Sequence, residues 1–89
     1  MEQQYVAAIR PDGMKLMYKV RSNTPAPTRC LAMKDANGTW GVWRWTAKEV
    51  EVRRFLNVAK KRGWTPHVLP AAPDVPPTKK DGTHAGTYH

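Results

Sequence analysis

The sequence predicts a small basic α+β domain: an antiparallel sheet of two β-hairpins in ββββα order, with one helix packed on one face. Three observations predict it. Apolar, β-prone runs flank the turn signals Pro11-Asp12-Gly13 and Asn37-Gly38, Val52, Phe55, Leu56 and Ala59 recur at helical spacing, and Gly63 stands where that helix should stop.

Tyr5 to Ile9 and Met14 to Val20 read as the first hairpin. Two registers compete for it. A two-residue Asp12-Gly13 turn sets Ile9 against Leu16, Ala7 against Tyr18 and Tyr5 against Val20, which makes one face wholly apolar. A type I turn with Pro11 in second position and Gly13 left-handed slips the register and mixes lysines into that face. Burying a lysine costs more than an imperfect turn, so the two-residue register is the expectation.

Arg21 to Thr28, with Pro25 and Pro27 among Ser, Asn and Thr, reads as a connector. Arg29 to Lys34 and Thr39 to Trp45 then flank Asp35-Ala36-Asn37-Gly38, a second hairpin, because Asn and Gly tolerate positive φ. With a two-residue turn, Trp40, Val42 and Arg44 share a face with Leu31 and Met33. With a three-residue loop, Trp43 and Trp45 take that place. In both cases Trp40 and Trp43 point to opposite faces, being an odd number of positions apart. The one facing away from the helix is the expected contact residue.

Thr46 with Glu49 three residues on matches a capping box, and Trp45 and Val50 hold the positions of a hydrophobic staple, which makes Trp45 structural. Arg53, Arg54, Asn57, Lys60 and Lys61 lie opposite the apolar stripe. Lys60, Lys61 and Arg62 also suit the negative end of the helix dipole. Gly63 to Leu69 should fold back, with Trp64, Val68 and Leu69 covering a sheet edge or a helix end. Beyond it prolines recur and Val75 is the last branched aliphatic residue. Residues 1–69 are therefore expected to form one domain and residues 70–89 a disordered tail.

The net charge is +8, and its distribution is uneven: residues 1–64 hold thirteen basic and five acidic side chains, whereas residues 65–89 balance. A folded part so charged attracts polyanions. Cys30 is the only cysteine, which excludes an internal disulfide. No run approaches the roughly 18–20 apolar residues of a membrane span, and the N-terminus lacks the features of a signal peptide. A cytoplasmic location is expected.

Metal, cofactor and catalytic chemistry find little support. Cys30, His67, His84 and His89 have no ligand spacing. Cys30 with His67 is the sole nucleophile and base pair worth naming, and a cysteine inside an apolar run behaves as a small hydrophobe. No carboxylate pair shares a face and no glycine-rich phosphate loop occurs. An enzyme is not expected.

A binding surface remains. Aromatic side chains interleaved with cations stack bases while neutralising phosphates, and Lys15, Lys34, Trp40, Trp43 and Arg44 supply such a set on the sheet. The helix arc of Arg53, Arg54, Asn57, Lys60 and Lys61 suits a phosphate backbone or a major groove. Strands followed by one helix, with Trp40, Trp43 and Trp45 on the last strand and a Thr46-x-x-Glu49 helix start, resemble the small DNA-binding domains of plant APETALA2-type factors and of phage-type integrase N-termini. The resemblance covers Cys30 to Gly63, and implies that a sheet face rather than the helix enters the major groove. The expected partner is thus nucleic acid, DNA or RNA. The alternative is an acidic surface of a larger protein, such as a nucleic-acid enzyme bound by a small, phage-encoded inhibitor or accessory protein, with a free strand edge as one docking mode.

Overall fold

The computed structural model describes residues 4–21 and 23–74. It shows the α+β architecture, with the two hairpins in separate sheets. In chain order the elements are β1 (Gln4–Ile9), β2 (Lys15–Val20), β3 (Arg29–Lys34), β4 (Trp40–Thr46), α1 (Glu49–Arg62), β5 (Thr65–Pro70) and β6 (Ala72–Asp74). One sheet has the order β2-β1-β6 and the other β4-β3-β5.

The first hairpin takes the register set by its turn, not the one expected. Gly13 N–H donates to Arg10 O at 2.8 Å, and Arg10 N–H donates to Met14 O at 2.9 Å. Gly13 adopts φ 93°, the left-handed value that ends a three-residue loop. Ala8 therefore faces Leu16, and Val6 faces Tyr18. The feared burial of lysine does not follow, because the sheet buries its other face. Val6, Ala8, Leu16, Tyr18 and Val20 point inward, while Lys15 and Lys19 fall outside beside Ile9 and Tyr5. The price is an outward Ile9, 55% exposed.

The second hairpin closes through the same device, with Gly38 N–H on Asp35 O at 3.0 Å and Gly38 at φ 81°. Its strand β3 is the centre of the molecule. Cys30 and Ala32 face the first sheet, packing with Ala8 and Leu69, and partly buried Leu16, Trp40 and Trp45 close that layer. Leu31 faces α1 and packs with Val52 and Phe55, flanked by Met33 and Val68. Small side chains at Ala8, Cys30 and Ala32 meet between the sheets. Sheet, sheet and helix thus form three layers.

Helix α1 begins later than the capping box implied. Its N-cap is Lys48, which makes no side-chain capping bond. Thr46 is still in β4, buried, and its Oγ1 accepts the Lys48 N–H at 3.0 Å. Glu49 instead binds Arg29 at 2.8 Å. The staple is not formed either, since Trp45 faces the first sheet and Val50 is exposed. Val52, Phe55 and Ala59 are buried as the stripe predicted, but Leu56 lies on its margin and is exposed. The helix stops at Gly63, where the Gly63 and Trp64 N–H groups return to Lys60 O and Ala59 O.

The fold-back after Gly63 is a full strand. β5 pairs with β3 along its length, then the chain changes sheet at Ala71, whose N–H donates to Thr28 O at 2.9 Å, and β6 pairs with β1. Pro66, Pro70 and Pro73 fit here because β5 and β6 are both edge strands, where a missing N–H leaves no ladder partner wanting. The rest of the expected tail, residues 75–89, lies outside the described residues.

Candidate functional site: the edge of β4 and the flank of the helix

Strand β3 is covered on both faces, by the first sheet and by α1, whereas Val42, Trp43 and Arg44 of β4 stay exposed. The broad open sheet face that the APETALA2-type resemblance implied is therefore covered along β3, and the exposed strand residues of this hairpin are those of β4. Among the described residues no strand lies beside the outer edge of β4, and a β-bulge shapes that edge. Leu31 pairs with Arg44 but Ala32 pairs with Val42, so Trp43 is the extra residue. The bulge resets the alternation. Trp43 and Arg44 both turn to the helix side, where the Trp43 ring lies 6.3 Å from Phe55 and Arg44 reaches Glu51 at 3.2 Å. Trp45 turns the other way and stacks on Tyr18 of the first sheet. The loop contains three residues, but Trp45 does not join Trp43 as that loop alone would require.

Trp43 is 38% exposed although it faces the helix side, because it sits at the margin of the helix rather than beneath it. Trp64, carried there by the turn at Gly63, meets it edge to face at 5.8 Å. The Arg62 guanidinium lies over the Trp64 ring at 5.1 Å. Glu51, Arg54, Val58 and Arg62 recur at three- and four-residue spacing, so they share one flank of α1, and the Arg44–Glu51 bond fixes that flank against β4. Arg54 adds a longer contact to Glu51 at 3.6 Å.

Beside this flank the β4 edge borders a groove of about 550 Å³ lined by Tyr18, Trp43, Arg44, Trp45 and Lys48. A second hollow of about 370 Å³ continues past Trp45 and Lys48 to Arg21, Pro25 and Pro27 of the connector.

The residues singled out in the sequence fall into separate places. Lys15 lies on the outer face of the first sheet and is ion-paired with Asp74. Trp40 faces away from the helix, as one register required, but is half-buried: Arg10 lies over its ring at 4.6 Å, Lys34 at 5.5 Å and the His67 ring at 4.8 Å. Arg10 is itself fixed by Asp12, whose carboxyl its guanidinium holds down to about 2. Trp43 and Arg44 meet at the β4 edge. Arg53, Asn57, Lys60 and Lys61 are exposed along α1, and among the described residues none of these cations is ion-paired.

The carboxylates explain where positive charge stays uncompensated. Asp12, Glu49, Glu51 and Asp74 each hold a cation close by, and Asp35 accepts the Asn37 and Thr39 N–H groups of its turn. None lies on the outward arc of α1 beyond its first turn. Sequence reasoning did not single out Tyr18, Arg21, Lys48 or Trp64 as site residues, and took Arg62 for a helix-end cation. Only the proximity of Trp64 to Trp43 gives Arg62 its second role.

Cys30 and His67 lie on neighbouring strands, yet the thiol is fully buried and desolvation pushes it up to about 11. At neutral pH it is not a thiolate nucleophile. Among the described residues no group of three His, Cys, Asp or Glu side chains is placed to hold a metal ion, and no helix is long and apolar enough to cross a membrane. No protein-family model, curated protein or solved structure matches the chain.

Proposed function

We propose that this protein is a nucleic-acid-binding module that uses the flank of α1 and the edge of β4. The observation that carries the reading is the half-exposed Trp43–Trp64 pair, bordered by Arg44 and Arg62, beside a helix arc whose Arg53, Lys60 and Lys61 have no carboxylate partner among the described residues. Partly exposed rings beside cations accept bases and phosphates together.

Binding of the full chain to labelled DNA and RNA of mixed sequence, followed by anisotropy over a range of salt, tests the proposal. On duplex DNA log affinity should fall with log salt by about 0.9 per phosphate neutralised. The triple variant Arg53→Ala, Lys60→Ala, Lys61→Ala should bind more weakly with a shallower slope. Absence of binding even at low salt removes the reading.

A second reading, docking on an acidic protein surface, draws on Val50 and Leu56, which stand 46% and 41% exposed among the same helix cations. Capture from a nuclease-treated lysate separates the two. A partner retained after nuclease favours protein, whereas loss of every partner favours nucleic acid.

A further inference from the structure

We infer that the nucleic acid is single-stranded, and that it lies in the groove along β4 with bases against Trp43 and the Tyr18–Trp45 stack and phosphates toward Arg21, Arg44 and Lys48. The inference rests on the nucleic-acid reading and specifies its ligand.

The shape of the site argues for it. The aromatic rings border a shallow, open groove of about 550 Å³, which shares Tyr18, Trp45 and Lys48 with a second open hollow of about 370 Å³. A duplex keeps its base faces inside its own stack and presents a convex cylinder, so it cannot bring those faces to rings in a hollow. A single strand can, because its bases splay outward and stack on aromatic side chains whatever their identity. A sheet face entering a major groove is disfavoured, since β3, the central strand of the second sheet, is covered on both faces.

Charge follows the same line. Arg44, Lys48 and Arg21 are spread along the groove, whose one lining carboxylate among the described residues, Glu51, is already engaged by Arg44 and Arg54. Lys48 and Arg21 form no ion pair among the described residues. A polyanion of narrow width fits this spacing.

An added β-strand is the competing occupant of a free edge, and the bulge disfavours it. An incoming strand needs an even row of N–H and C=O groups, whereas β4 is irregular at Trp43, in the middle of the exposed run. Nucleic acid makes no such demand on the backbone.

The test compares an oligothymidine of about fifteen nucleotides with a duplex of equal length, both bound to the full chain at matched salt. The single strand should bind at least about tenfold more tightly and quench tryptophan fluorescence. The variant Arg21→Ala, Lys48→Ala changes two exposed side chains outside the core. It should weaken the single strand by about tenfold and reduce its salt slope by about 1.4, the share of two charges on a single strand, while leaving duplex affinity within about twofold. Equal or tighter duplex binding, or a single-strand affinity that the double variant leaves unchanged, overturns this inference and leaves the nucleic-acid reading standing. Failure to bind either oligonucleotide overturns both.

Discussion

Tyr18 of β2 stacks on Trp45 of β4 with ring centroids 5.3 Å apart and planes inclined by 22°. This contact joins the two sheets at the end where the connector crosses between them, and it forms one wall of the groove. Stability and the proposed ligand site therefore share a pair of rings. Tyr18→Ala removes the ring from a half-buried position and should cost about 2 kcal/mol, measured by urea unfolding. Tyr18→Phe retains the stack and should stay within about 0.5 kcal/mol of the parent. Equal losses for the two variants would show that the hydroxyl, not the ring contact, matters.

Cys30 gives the fold a dependence on alkaline pH. Its thiol is raised from an ordinary 9.0 to about 11 by burial. Below pH 9 the group is protonated in the folded and unfolded chains alike, so its contribution is fully present. Between pH 9 and 11 the unfolded chain ionises first, and stability falls as pH rises, by about 2–3 kcal/mol in all. The measurement is the difference between the parent and Cys30→Ala, which isolates the thiol from every other group. That difference should change with pH only above about 9, and a thiol reagent should modify Cys30 at the rate of unfolding.

At the start of α1 two substitutions separate the expected capping box from the observed turn. Thr46 is buried and accepts the Lys48 N–H, so Thr46→Ala should cost about 1 kcal/mol. Glu49 makes only an exposed ion pair with Arg29, so Glu49→Gln should change stability by less than about 0.5 kcal/mol. A capping box would make both losses comparable. Thermal unfolding of the two variants decides it.

The register of the first hairpin depends on the left-handed conformation of Gly13. No atom lies within 4 Å of a Cβ built there, so the effect of Gly13→Ala comes from the backbone alone. It should destabilise by about 1 kcal/mol, and Gly13→Asn by less, because Asn visits that region more readily. If Ala were tolerated without loss, the turn would not be what holds the register.

Much of the local structure was legible because its causes are local. Gly13, Gly38 and Gly63 mark the two turns and the helix stop, and Val52, Phe55 and Ala59 mark the face that α1 buries. The first register was misjudged on a sound premise applied to the wrong face. The lysines do avoid burial, but they do so because the face of Val6 and Ala8 turns inward. Nothing within β1 or β2 alone states which face a second sheet will cover.

Local pattern and composition set the α+β class, the order of the first four strands and the helix, the helix stop and the concentration of positive charge in residues 1–64. Contacts in three dimensions set the rest: the hairpins form two sheets, proline-bearing segments serve as edge strands, and a bulge at Trp43 parts it from Trp45. Turn and helix preferences are properties of a few adjacent residues, whereas strand partners and the phase of side chains across a bulge are set by contacts between segments far apart in the chain. Trp64 illustrates the difference, since 21 positions separate it from Trp43 and only the reversal at Gly63 brings their rings together.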